Sequence, residues 1–164
     1  MSNLVVDAFI EIPKGSQNKY EFDKEKGVFV LDRVLYSPMF YPTEYGYLQN
    51  TLALDGDPLD ILVLVTNPTF PGCVIESRVI GALIMSDDKG QDEKLLAVPT
   101  KDPRFAQVKS LDDVAPHILK EIAHFFQVYK DLENKKTVIE GWKDAEFAKK
   151  LYEECVERYK KQAG

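Results

Sequence analysis

Residues 55–65 read Asp-Gly-Asp-Pro-Leu-Asp-Ile-Leu-Val-Leu-Val, three carboxylates in six residues running straight into an unbroken apolar string. The string predicts a strand that anchors the acids at its entrance. Asp55 and Asp57, two residues apart, share a face where the chain is extended. Gly56 and Pro58 bend the backbone so that Asp60 turns toward the same point. Acids gathered this way repel one another unless cations neutralise them, and oxygen donors alone suit hard ions such as Mg²⁺ or Mn²⁺. The stretch reads as a divalent-metal nest.

Two plainer readings compete with it. Asp-Gly and Pro are turn formers, so an isolated Asp-Gly-Asp would be an ordinary hairpin turn. An EF-hand loop fails on position: its closing Glu falls at Thr66, its Gly belongs where Asp60 stands, and a β-type run follows in place of a helix. The rest of the chain decides for the metal nest.

With 164 residues, 45% hydrophobic and 11% aromatic, the chain suits one domain over 1–164 with a real core. The net charge of −6, with no sustained block of Lys or Arg, argues against a nucleic-acid or anionic-membrane surface. A small anion masked by metal remains compatible. No apolar run approaches the roughly 20 residues that span a bilayer, and no basic region precedes an apolar one at the N-terminus, which points to the cytoplasm. Cys73 and Cys155 lie far apart and form no cluster with His117 or His124, against a zinc or disulfide scaffold.

Along the chain, Leu4 to Ile12 alternates as a strand and leaves Glu11 near its end. Lys19 to Phe22 is a second strand, Asp23 to Gly27 a turn, and Val28 to Leu31 the returning strand that delivers Arg33 at its exit. Tyr36 to Tyr47 interleaves aromatics with Pro38, Pro42 and Gly46, which excludes a helix and reads as a loop in which Phe40 and Tyr47 lid the core. Cys73 to Met85 is a long strand. Asp87 and Asp92 bracket the turn around Asp88-Lys89-Gly90, and Lys94 to Pro99 returns. These short connections suggest a small closed barrel. From Pro116, the spacing of Leu119, Ile122, Ala123, Phe126 and Tyr129 predicts a helix to Asp131. Ile118, Phe125 and Val128 fall largely outside that stripe, so a second partner surface is expected beside His124. Val138 to Glu140 is a short strand, and Asp144 caps a last helix with Phe147, Leu151 and Cys155 on one face.

Taken in order, Glu11-Ile12-Pro13, Lys19-Tyr20-Glu21, Asp32-Arg33, Met39-Phe40-Tyr41-Pro42, Tyr45-Gly46-Tyr47, the acidic stretch 55–60, the Asp87, Asp92, Lys94 set and Tyr129-Lys130-Asp131 resemble a bacterial family I soluble inorganic pyrophosphatase over nearly the whole length. The resemblance implies an α+β, β-rich fold: an OB-like five-stranded closed β-barrel with flanking C-terminal helices. It implies hydrolysis of pyrophosphate to two phosphates by a metal-activated water or hydroxide, several Mg²⁺ ions per site with Mn²⁺ or Zn²⁺ as substitutes, and a homohexamer. Asp88 departs from the pattern, since many relatives carry Glu after the first Asp of this turn. Its shorter reach assigns it to the supporting residues.

Pyrophosphate resists hydrolysis because its negative oxygens repel an incoming hydroxide and its leaving group is itself charged, so charge must be masked at both ends. Asp55, Asp60, Asp87 and Asp92 are the expected metal ligands. Asp57 is the expected acceptor of the attacking water's proton. Lys19, Arg33, Lys94 and Lys130, with Tyr45 and Tyr129, are expected to grip phosphate. Glu11 and Glu21 are outer supports, and Tyr41 either shapes the pocket or touches ligand. The rivals are a non-catalytic OB-like module for single-stranded nucleic acid and a divalent-metal binder without turnover. The concentration of Asp would repel a phosphate backbone, and cations beside a metal nest weaken metal binding unless an anion joins.

Overall fold

The alternation of residues 5–12 builds β1 (Val5–Ile12), in which Val6, Ala8, Ile10 and Ile12 are buried. The structure, a computed structural model, describes residues 2–163. β2 (Asn18–Asp23) and β3 (Val28–Val34) form a hairpin that is a two-stranded sheet of its own. There follow β4 (Glu44–Tyr47), β5 (Asp60–Val63), β6 (Val74–Asp87), β7 (Gly90–Gln91) and β8 (Lys94–Pro99). The chain ends in α1 (Pro116–Val128), β9 (Val138–Asp144) and α2 (Ala145–Ala163). Among the described residues, no helix is long and apolar enough to cross a membrane.

The strands close on themselves. β1 pairs β4, β4 pairs β5, β5 pairs β8, β8 pairs β6, and β6 returns to β1, a ring of five. Every contact in the ring is antiparallel except β5 with β8. This is the OB-like closed barrel expected from the sequence, with β9 added along β6. Closure removes exposed sheet edges and presents both faces of each strand to a core. Ile61, Val63, Leu95 and Ala97 face one core, sealed by Ala148, Leu151 and Cys155 of α2. Leu62, Leu96 and Val98 face the other, covered by Ile122, Phe125 and Phe126 of α1. A strand buried on both faces needs a continuous apolar run, which is why residues 61–65 do not alternate.

Several expectations need correction. Tyr36–Tyr47 is not all loop: its last four residues are β4, a barrel strand. Gly46 allows β4 to approach β1, since a methyl group there would lie 1.9 Å from the Phe9 carbonyl oxygen. Phe40 does not lid the core but stands 58% exposed, whereas Tyr47 is buried. Arg33 lies within β3, opposite Lys19, and not at its exit, because pairing with β2 extends the strand to Val34. β9 reaches Asp144, well past Glu140. Asp144 does cap α2, its carboxylate accepting the Phe147 N–H at 2.9 Å. The surplus apolar face of α1 is partly absorbed within the chain, because Phe125 packs on Tyr41 and Tyr129. Ile118 stays 40% exposed, and His124 is exposed.

Candidate active site

Residues 55–60 form the turn that delivers the chain into β5. Gly56 adopts φ +90°, a conformation that a side chain would strain. The Asp57 N–H donates to the Asp55 carboxylate at 3.0 Å, an Asx-type turn that fixes the two acids relative to each other. The loop is pinned from below by Thr51, whose hydroxyl donates to the Leu48 carbonyl at 2.6 Å and accepts the Leu59 N–H at 2.9 Å. Asp60 is the first residue of β5, flanked by Tyr47 of β4 and by Lys94 of β8. Asp87 ends β6, and Asp92 precedes β8 across a two-residue turn, so both carboxylates reach the same end of the barrel.

Lys94 corrects the expectation that it grips phosphate. It is fully buried, and its ammonium donates to Tyr45 Oη at 2.9 Å, Asp60 Oδ2 at 3.0 Å and Asp92 Oδ2 at 3.1 Å. All three of its hydrogens are thereby committed. Tyr45 in turn donates to Asp60 Oδ2 at 3.0 Å. Lys94 is the counter-ion beneath the carboxylates and does not line the cleft. Burial opposes its charge, but Asp60, Tyr45 and Asp92 outweigh that and hold its pKa well above the usual lysine range.

Above this base lies a cleft of about 340 Å³. Its walls carry Glu11, Glu21, Asp55, Asp57, Asp60, Asp87 and Asp92, together with Lys19, Lys24, Lys89 and Lys130, Tyr45, Tyr47 and Tyr129. Thus Asp55, Asp57, Asp60, Asp87, Asp92, Lys19, Tyr45, Tyr129, Lys130, Glu11 and Glu21 converge as expected. Lys130 stands 3.7 Å from Asp87 Oδ2. Glu11 accepts the Phe22 N–H at 3.0 Å and so ties the β2–β3 hairpin to β1. Arg33, Tyr41, Lys94 and Asp88 are not on the walls. Tyr41 is buried behind Tyr45 against Phe125. Asp88 is exposed in the turn beyond Asp87. Arg33 is held between Asp32, 2.5 Å from Nη1, and Glu133, 3.0 Å from Nε. Sequence reading missed Lys24, Lys89 and Glu133. The two lysines sit in turns, where a basic residue is usually solvated and gives no signal.

Seven carboxylates against four ammonium groups leave the cleft lining negative, and its donors are oxygens. Burial raises the Asp60 carboxyl to about 7, with Asp92 adding to the rise and Lys94 opposing it. Asp92 goes the other way: burial works against its charge, but Lys94 overrides it and keeps the carboxyl below the usual range. Burial likewise raises Asp55 and Glu11. Carboxyls crowded together and partly buried at one end of the barrel are groups whose negative charge a hard cation would stabilise, so the donor set fits a divalent ion. Among the described residues, no three acidic, histidine or cysteine side chains are already gathered around one point. A second hollow of about 360 Å³ under α2 mixes Glu93 and Glu154 with Lys150 and Arg158 and has no such surplus.

A pH dependence follows from Asp60. An acid whose pKa is raised carries a proton below that value, and a metal must displace it. If Asp60 holds a divalent ion, as its place in the acidic stretch predicts, apparent affinity for that ion should rise with pH toward about 7, by up to roughly tenfold per unit for one displaced proton, and level off above. Calorimetry in buffers of different ionisation enthalpy reads the released proton directly. Affinity unchanged from pH 5 to 7 would contradict the assignment.

Residues 8–160 match the family model described as inorganic pyrophosphatase. The chain belongs to the inorganic pyrophosphatase family. It is 68% identical over 160 residues to an inorganic pyrophosphatase of Geobacillus stearothermophilus, spanning 98% of this chain and 97% of that protein. The fold matches the inorganic pyrophosphatase of Thermus thermophilus with a TM-score of 0.93 at 46% identity, covering 95% of this chain and 91% of that one. A Helicobacter pylori inorganic pyrophosphatase aligns with a TM-score of 0.91 at 44% identity, over 97% and 94% of the two chains. These matches agree with the bacterial family I resemblance in the ordered motifs. The family's OB-like barrel here places the acids of three separate segments, 55–60, 87 and 92, at one end of the strands.

Proposed function

We propose that this protein hydrolyses inorganic pyrophosphate to two phosphates in the acidic cleft, with Mg²⁺ as its working ion. The observation that carries the reading is the arrangement of seven carboxylates and four lysines around one small hollow. A site for a polyanion has no use for so many acids unless cations join it. Asp55, Asp60, Asp87 and Asp92 would hold the ions, with Mn²⁺ or Zn²⁺ as substitutes. When bound, they supply charge neutralisation on the phosphoryl oxygens and make a water more acidic. Asp57, exposed at the cleft wall beside Asp55, takes the proton of the attacking water. The water oxygen forms a bond to one phosphorus, the bridging P–O bond breaks, and the electron pair leaves on the second phosphate. Lys19 and Lys130 sit on the cleft walls to receive that charge, joined by the Tyr129 hydroxyl, and Arg33, which lies off the wall beside Asp32, would add its charge from behind Lys19. Lys94 serves from below by holding Asp60 and Asp92 in place.

Phosphorus NMR tests the reading: the pyrophosphate signal should be replaced by orthophosphate alone, two per substrate consumed. A pyrophosphate signal that persists in the presence of Mg²⁺ would contradict it. Neither the nucleic-acid module nor the silent metal binder finds support, since the cleft wall is dominated by carboxylates and the family is hydrolytic.

The proposal includes a homo-oligomer, a hexamer as the resemblance implies, in the cytoplasm. Its support is the apolar surface left by one chain: Val28, Leu31, Val34, Tyr36 and Phe40 of the hairpin region and Ile118 of α1 are exposed. Light scattering at neutral pH should give a compact homo-oligomer, and a monomer at micromolar concentration would refute it.

A further inference from the structure

Two walls of the cleft belong to parts of the fold that no backbone ladder joins. The β2–β3 hairpin carries Lys19, Glu21, Phe22 and Lys24, and the end of α1 carries Tyr129 and Lys130. Near its turn, the hairpin is tied down by Phe9, whose ring packs on Phe22 and Phe29. At its open end, besides the backbone bonds that join Gly15 and Ser16 to Tyr41, the hairpin is linked to the far wall by an ion pair, Arg33 Nε to Glu133 Oε1 at 3.0 Å. Glu133 lies in the short 3-10 turn Asp131–Glu133 that follows Lys130, and its side chain is only 6% exposed. From Arg33 the contacts continue to Asp32 at 2.5 Å and from Asp32 to Lys19 at 3.5 Å. A single line of charges therefore runs from the far wall to a lysine that faces the cleft.

This pair is poorly built for stability. Glu133 Oε2 is buried without a hydrogen-bond partner, and Arg33 Nε, close as it is, is not aligned on Oε1 as a hydrogen bond. A buried carboxylate with an unmatched oxygen costs about as much as such a pair returns. What the arrangement does achieve is orientation. The guanidinium is gripped on two sides, through Nη1 and Nε, and among the described residues Nη2 takes no partner.

We propose that Glu133 is a positioning residue for the reaction. It holds Arg33, and through Asp32 also Lys19, at the separation from Tyr129 and Lys130 that one substrate molecule spans, without itself touching substrate. The proposal rests on the reading of Arg33 and Lys19 as phosphate-binding groups.

Steady-state kinetics on the assembled protein tests it. Glu133→Ala should raise KM for pyrophosphate by roughly tenfold while kcat stays within about threefold, because misplacement weakens the grip without removing a reacting group. The Mg²⁺ concentration for half-maximal rate should not move. Glu133→Gln keeps the shape but removes the charge that holds the guanidinium, so it should keep most of the rise in KM; it also carries the test if the alanine variant folds poorly. In an Arg33→Ala background, adding Glu133→Ala should raise KM no further. If Arg33→Ala raises KM and neither Glu133 variant does, the positioning role is overturned and the site reading stands. If Arg33→Ala itself leaves KM unchanged, the site reading falls and the proposal with it.

Discussion

Asp57→Asn lowers turnover by roughly 10² to 10⁴ and leaves the Mg²⁺ concentration for half-maximal rate where it was. The amide keeps the size of the side chain but cannot take the proton of the attacking water, and Asp57 stands at the cleft wall as the one acid of the 55–60 turn not assigned to metal. Asp55→Asn and Asp60→Asn behave differently, because each removes an expected ligand. Both should need more Mg²⁺ and recover part of their rate when it is supplied. Titration of Mg²⁺ against rate for the three variants separates the roles. Recovery of Asp57→Asn by excess metal would make Asp57 a ligand and place the proton acceptor elsewhere.

The second large effect is on stability. Lys94 is fully buried and is the shared partner of Asp60, Asp92 and Tyr45. Lys94→Met matches its length but leaves two adjacent carboxylates without their cation. Breaking a buried pair from one side costs about 3–5 kcal/mol, which for a chain of this size lowers Tm by roughly 6–20 °C. Mg²⁺ should stabilise the variant more than the parent, since a bound cation replaces part of the missing charge. Thermal melts with and without Mg²⁺ check both statements. A metal-free Tm within about 2 °C of the parent would show that the three contacts are not what holds this end of the barrel.

The residues that sequence alone placed well are those whose chemistry is local. The run from Ile61 to Val65 can only be interior, and the spacing of Asp55, Asp57 and Asp60 with Gly56 and Pro58 gathers the acids whatever the rest of the fold. The helix at Pro116 was legible from its period, but it ends at Val128 and not at the expected Asp131, where a 3-10 turn begins. β4 was not, since four residues with Gly46 at the centre and Pro42 just before offer too little alternation to distinguish a strand from a loop. Lys94 misled for a non-local reason. Nothing in Lys-Leu-Leu-Ala-Val shows that β8 lies parallel to β5 with Lys94 level with Asp60, and it is this register that buries the ammonium. The same holds for Glu133, whose partner Arg33 is brought to it only by the hairpin folding over the end of α1. A polar residue in a turn reads as solvated until the tertiary structure closes over it.

A cleft of this charge would repel pyrophosphate until cations fill it, and one measurement addresses this directly. Phosphate release from pyrophosphate should be rapid with Mg²⁺ and should stop when a chelator is added in excess. It should return when Mg²⁺ is restored. Undiminished release in chelator would mean that the seven carboxylates are not there to hold metal, and would contradict the mechanism at its base.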